Sequence, residues 1–311
     1  MSQVTADAAP AVVPREWSMP MQTIGVIGLG KIGMPIARNL IASGYRVVGF
    51  RRSAMDEFRN AGGIPATSAQ DVGAQADVVL SCVNTAQSVA DVMQGERGLV
   101  HAARPGQLIV ELGSHPVPQK ERHVAPLAAK GAVLLDGEVS GTPSMVAARK
   151  AIVFLAGDEI AAQKIEPWIK GFTDTCVYFG KFGAASRVKL INNLLVAIHL
   201  AAAAEAMALG RKAGVDIDTM VKALSSGSGA STQFAIRAPW MAERRYLPPQ
   251  GTARGLSSYF PMIGAFVDEF GGASPLFDRA VEIFRRGIDT GFGDRDAAEM
   301  VEVLEKWPRN S

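Results

Sequence analysis

Cysteine is nearly absent: Cys82 and Cys176 are the only two in 311 residues, each inside an apolar, strand-like run. A disulfide framework is thereby excluded, and such usage fits a reducing compartment. An excess of one charge is missing too. The 32 Lys and Arg stand against 30 Asp and Glu, a formal net charge of +2. A nucleic-acid binder needs a concentrated basic surface that this balance does not provide. Long hydrophobic runs are also lacking. The most apolar stretch, residues 194–204, contains His199 and stops at Glu205, whereas a membrane span needs about 20 residues. Neither a nucleic acid nor a membrane is therefore expected as a partner. Residues 1–20 have no basic segment followed by an apolar one. They read as a disordered tail, not a signal peptide, and the expected location is cytoplasmic. His101, His115, His123 and His199 form no close His-x-x-x-His pair, so no metal site is expected and His115 reads as a surface residue.

What is present is the make-up of a globular chain, with 48% hydrophobic and 20% charged residues, long enough for about two domains. Apolar runs at 23–28, 46–50, 77–83, 107–112, 132–139, 151–157 and 175–179 alternate with segments of helical composition. Several are apolar on both faces (VVLSCV, LIVEL), as parallel strands covered on both sides must be. The fold class is therefore α/β, a doubly wound parallel sheet of the Rossmann type over residues 21–182. After Gly183 the strand signals stop. Residues 184–213 are rich in Ala, Leu and Met without proline and predict a helix buried almost all round. Further helical segments follow, so residues 183–311 form an all-α second domain.

The first strand, TIGVIG, runs into Gly28-Leu29-Gly30-Lys31-Ile32-Gly33 and then a helix. In that context a GxGxxG has a mechanism. The first glycine permits the turn, the second lets backbone approach a pyrophosphate, and the third allows close helix–strand packing. The amides of the helix N-terminus face the phosphates. At the end of the second strand an NAD enzyme usually places an acid for the ribose 2′-hydroxyl. Here the chain reads Phe50-Arg51-Arg52-Ser53. Two guanidinium groups suit a 2′-phosphate through charge-assisted bonds, so NADP is the expected cofactor.

Lys189 lies in Ser186-Arg187-Val188-Lys189-Leu190-Ile191-Asn192-Asn193. Helical spacing puts Asn193, and also Asn192, beside it. Polar groups at the start of an apolar helix need a reason, because unpaired buried polar groups are costly. They bond a neighbouring loop, or burial tunes the lysine for proton transfer; the residues alone leave both open.

These motifs together resemble the β-hydroxyacid dehydrogenase family, which includes 3-hydroxyisobutyrate dehydrogenase and tartronate semialdehyde reductase. Residues 28–40 (GLGKIGMPIARNL) resemble its cofactor turn, and 136–142 (DGEVSGT) its substrate loop, usually DAPVSGG. Residues 183–194 (GAASRVKLINNL) resemble its catalytic helix, and 50–53 (FRRS) the Asn-Arg-Thr/Ser of NADP-preferring members. The resemblance implies an NADP-dependent enzyme interconverting a short β-hydroxy acid and its semialdehyde. Lys189 would be its general acid/base and Asn193 a substrate ligand, with Ser140, Gly141 and Thr142 the cradle for the substrate carboxylate. Arg52 and Ser53 would meet the 2′-phosphate, Ser114 the nicotinamide ribose side, and Val83-Asn84 would flank the cofactor. The implied partners are a carboxylate-bearing aldehyde or hydroxy acid and further copies of the chain, as homodimer or homotetramer. There are departures. Thr142 stands in place of the loop's second glycine and Pro143 follows it, and Ser258-Tyr259-Phe260 replaces a Lys-Asp-Leu of the second domain. The alternatives are an imine reductase, which usually has Asp or Tyr where Lys189 stands, and an NADP-binding scaffold without turnover.

Overall fold

A computed structural model describes residues 23–308; the expected tail at 1–20 lies outside the described residues. Eight strands form one sheet: β1 (Thr23–Ile27), β2 (Arg46–Phe50), β3 (Ile64–Pro65), β4 (Val78–Ser81), β5 (Leu108–Glu111), β6 (Val133–Ser140), β7 (Ile152–Ala156) and β8 (Thr175–Tyr178). Their order is β3-β2-β1-β4-β5-β6-β7-β8. Every residue of β1, β4 and β5 is buried, because helices cover both faces and strands so enclosed must be apolar on both sides. The chain leaves β1 between β2 and β4. That reversal of strand order opens a crevice at the carboxyl ends of β1 and β4, the place where open α/β sheets bind ligands.

The sheet departs from the expected all-parallel arrangement at one place. β7 runs antiparallel to β6, while β8 is again parallel to β7. Only residues 141–151, including the short helix Pro143–Ala147, connect β6 to β7. A parallel return needs a crossover of a dozen residues or more, usually a full helix, so this shorter link brings the chain straight back. The two-residue β3 escapes sequence reading because Ile64-Pro65 is too short to show any period.

Past β8 the described chain is helical. Its axis is the helix Ala184–Lys212, 29 residues long. The most apolar part of this helix has a mean hydropathy of 1.5, enough for a bilayer span by length and composition alone. Packing supplies another reason for that composition. Its first turns lie on β6 and β7, and its later turns are enclosed by helices Thr232–Ala242, Phe260–Glu269, Pro275–Gly287 and Met300–Glu305. Ala197, Ala201, Ala204 and Ala208 are buried there with Leu200 and Met207. Such small side chains let neighbouring helices approach closely. Burial all round, however, is not what the structure shows: Ile191, Leu195 and Leu209 are 47%, 45% and 66% exposed. Trp240, Met241 and Tyr246 belong to the helical core, fastened by a buried ion pair in which Arg237 Nη1 donates to both oxygens of Asp296 at 2.6 Å.

Candidate active site

The Gly-rich turn closes as its spacing requires. Gly28 has φ +88°, a conformation that glycine adopts without penalty. A Cβ on Gly33 would lie 2.1 Å from the Gly28 carbonyl oxygen, so only glycine lets helix α1 (Gly33–Ala42) start against the turn. The N-terminus of α1 has no side-chain cap. Met34 N donates to Gly30 O at 3.0 Å and Pro35 has no N–H, so the amides left for an anion are those of Lys31, Ile32 and Gly33. A cleft of about 840 Å³ lies beside it, walled by Gly28, Leu29, Gly30, Arg51, Arg52, Ser53, Val83 and Asn84. The unbonded turn amides, an open approach at Gly30 and the arginines in the cleft lining suit a dinucleotide. The two arginines differ. Arg51 spends its guanidinium on the carbonyls of Leu29 at 2.9 Å and Ala54 at 2.6 Å. Arg52 is exposed, with a long contact to Ser88 Oγ at 3.4 Å. Of the remaining turn residues, Lys31 is exposed, Ile32 is half-buried and Gly33 is buried.

A second cleft of about 720 Å³ lies between sheet and helical domain. Its wall includes Ser140, Gly141, Thr142, Lys189, Asn192 and Asn193, so the loop after β6 and the start of the long helix, 50 residues apart in sequence, come together. Lys189 is 8% exposed, and its Nζ donates to the Val139 carbonyl at 2.8 Å. Burial lowers its pKa, and the charge of Glu138 partly offsets that. Both asparagines reach the cleft, and Asn192 donates to Asn193 Oδ1 at 3.2 Å. The Thr142 hydroxyl caps helix Pro143–Ala147 by accepting from Met145 N, which fixes the loop backbone beside the cleft.

Behind Lys189 is a polar cluster that the sequence did not reveal. Lys120, fully buried, donates to Asp136 Oδ1 at 2.8 Å, Gly137 O at 3.0 Å and Ser186 Oγ at 3.1 Å. Burial by itself would lower the Lys120 pKa, but Glu138, Asp136 and Glu111 together outweigh it and hold it above the usual value. Asp136 also accepts from the Ser186 amide at 2.9 Å, capping the long helix, whose own N-cap residue Gly183 has no side chain to do so. Ser114 donates to Glu138 Oε2 at 2.5 Å. Tyr259, on the cleft wall, has its pKa raised by burial and by Glu138, with Ser114 opposing. Glu138 had one available signal: it stands in DGEVSGT where the related motif carries proline. Lys120 had none, since it falls in a segment of helical composition whose charged residues read as a solvated face. His115 is a correction, for it is 8% exposed. Its Nε2 pairs with Val83 O at 3.0 Å, because the chain leaving β5 folds under the β4 exit.

The Glu111 carboxyl, also inside this cluster, is pushed up to about 7, chiefly by burial, with Lys120 opposing. The unfolded group ionises near 4.5. Its contribution to stability is therefore full below that value and is lost as pH rises through about 7. Glu111→Gln should remove this dependence. The difference in unfolding free energy between variant and parent should move in the variant's favour between pH 5 and 8, by on the order of a few kcal/mol. Urea titrations at several pH values measure it; a pH-independent difference would contradict the assignment.

Comparison with known proteins gives this geometry a family. Residues 23–180 match the NAD binding domain of 6-phosphogluconate dehydrogenase. Residues 183–304 match the NAD-binding domain of NADP-dependent 3-hydroxyisobutyrate dehydrogenase. An L-threonate dehydrogenase of Cupriavidus necator is 31% identical over 91% of this chain and 96% of its own. A 2-(hydroxymethyl)glutarate dehydrogenase of Eubacterium barkeri is 29% identical over 91% and 95%. The crystal structure of 3-hydroxyisobutyrate dehydrogenase from Salmonella typhimurium superposes with a TM-score of 0.80 at 25% identity, covering 91% of this chain and 99% of that one. An imine reductase from Myxococcus stipitatus shares the fold, with a TM-score of 0.61 at 18% identity over 91% and 99%. With a glycine turn at the sheet crevice and a buried lysine lining one cleft with the loop after β6, the chain belongs to the β-hydroxyacid dehydrogenase family of oxidoreductases.

Proposed function

We propose that the protein is an NADP(H)-dependent dehydrogenase that interconverts a short β-hydroxy acid and its semialdehyde, with Lys189 as general acid and base. One observation carries this reading: a buried ammonium, held by a single main-chain carbonyl, on the wall of a cleft with Ser140, Gly141 and Asn193. A bound nicotinamide dinucleotide supplies or accepts the hydride. Lys189 Nζ gives its proton to the alkoxide oxygen formed in reduction and takes it back in oxidation. Burial brings its pKa down towards the range where both steps are accessible. The Asn193 amide orients the reacting oxygen, and the backbone and hydroxyls of Ser140 to Thr142 receive the substrate carboxylate. The preference for NADP rests on Arg52 and Ser53 at the cleft wall, with no acid at the end of β2. The relatives named for threonate and hydroxymethylglutarate support a hydroxy-acid substrate. The exposed Ile191 and Leu195 favour a homo-oligomer covering the outer face of the long helix.

Lys189→Ala should lower kcat by roughly 10²–10⁴ while leaving NADPH affinity nearly unchanged. Lys189→Arg should not restore it, because a guanidinium does not release its proton in this range. Single-turnover rates, NADPH titration and melting temperature on the same variants check this. A folded Lys189→Ala enzyme with parental turnover would eliminate the mechanism.

Substrate class is tested with paired aldehydes: malonic semialdehyde should be reduced better than propanal, and a panel won by neutral aldehydes or imines would overturn the carboxylate cradle. For the cofactor, Arg52→Ala should raise KM for NADPH by the worth of a charge-assisted contact, ~1.5–3 kcal/mol or roughly tenfold to a hundredfold. KM for NADH should change little. Equal effects on the two cofactors would show that Arg52 does not meet the 2′-phosphate.

A further inference from the structure

Arg237 stands on the helix Thr232–Ala242, 6% exposed, in the wall of the same cleft as Lys189. Its ion pair with Asp296 is one-sided. Nη1 alone donates to the carboxylate, at 2.6 Å to each oxygen. Asp296 is then fully engaged, for it also accepts from the amides of Gln250 at 2.9 Å, Gly251 at 3.3 Å and Ala298 at 3.0 Å. A guanidinium has N–H donors on all three nitrogens, and Nε and Nη2 share the edge that can grip a partner with two parallel bonds. On Arg237 that edge is unused. Nε is buried without a partner, and only Nη1 donates among the described residues. A buried donor left unmade is costly, so the edge calls for an acceptor from outside the chain.

Two further observations put that acceptor in the cleft. Gly251, also on the cleft wall, faces the same edge: a Cβ there would lie 3.1 Å from Nη2, so the lack of a side chain keeps this donor uncovered. The cleft is also long. Its wall follows the long helix from Lys189 to His199, about 15 Å at the helical rise per residue, well beyond the reach of a three-carbon acid. Charge then decides the kind of acceptor. Asp296 already neutralises Arg237, so a carboxylate on the free edge would be a buried anion without its own cation, which is costly. A hydroxyl oxygen accepts without adding charge. The same wall carries neutral hydroxyls and amides in Ser231, Thr232, Gln233 and Gln250.

We propose that the free Nε–Nη2 edge of Arg237 is a second substrate subsite, which accepts a hydroxyl at the far end of a side chain on the hydroxy acid. The substrate is then a hydroxy acid with a further hydroxyl beyond the reacting carbon, and Arg237 selects it over its alkyl and dicarboxylic analogues. The inference rests on the cleft being the hydroxy-acid site, with Lys189 at its reacting end.

Binding tests it without turnover. With NADPH in place an alcohol cannot be oxidised, so calorimetric titration of the NADPH complex reads affinity alone. Three ligands differ only at the end of one chain: 2-(hydroxymethyl)pentanoate ends in a methyl, 5-hydroxy-2-(hydroxymethyl)pentanoate in a hydroxymethyl and 2-(hydroxymethyl)glutarate in a carboxylate. A second set, two carbons longer, reaches further along the cleft. In at least one set the hydroxymethyl ligand should bind about tenfold tighter than the other two, the worth of a hydrogen bond to a charged donor. Gly251→Ala covers Nη2 and keeps the pair of Arg237 with Asp296. Arg237→Lys keeps the charge beside Asp296 and removes the fork. Both should abolish the lead of the hydroxymethyl ligand while the methyl-ended ligand binds nearly as before, which shows that the site is intact. A parent enzyme in which the hydroxymethyl ligand leads in neither set, or a lead that survives either substitution, overturns the inference and leaves the proposed reaction standing. Failure of every ligand to bind, in protein that still binds NADPH, overturns the hydroxy-acid reading itself and the subsite with it.

Discussion

The bond from the Asp136 carboxylate to the first turn of the long helix organises the rest of the molecule. Helix starts leave amides without partners, and Gly183, at the N-cap, has no side chain to offer them. Asp136, reaching over from β6, accepts from both the amide and the hydroxyl of Ser186 at 2.9 and 2.6 Å. A carboxylate at this end is also favoured by the helix dipole. Sheet and helix are thereby registered, and Lys189, one turn beyond Ser186, comes to lie against Val139 of the same strand.

The cost of that arrangement is a charged interior. Lys120, Asp136, Glu138 and Lys189 are all buried, and burial alone drives each ammonium towards neutrality. Lys120 resists because three carboxylates surround it; Lys189 has one and shifts down. Two lysines buried beside the same strand thus differ in charge state, one held above the usual ammonium value and the other lowered. The difference lies in how many carboxylates each faces, not in depth of burial.

The two clefts follow from topology. The cofactor-sized cleft lies where strand order reverses at β1 and β4. The other lies where the short return from β6 to β7 leaves the Ser140–Thr142 loop facing the long helix. The helix itself passes from the sheet into a core of small residues, so the helical domain becomes one wall of a cleft whose other wall belongs to the sheet.

Much of this was legible in the chain. Two-sided apolar runs, a glycine at each of three turn positions and the i,i+4 spacing of Lys189 and Asn193 are local patterns, and local sterics and periodicity are enough to read them. The missing acid after β2 is likewise a matter of composition at one place. The antiparallel β7, the burial of His115, the capping role of Asp136 and the meeting of Lys120 with Glu138 were decided only by tertiary structure. Each depends on groups that are distant in sequence: Lys120 and Ser186 are 66 residues apart. A charged side chain in a sequence reads as a surface residue until the fold shows which opposite charge lies across from it.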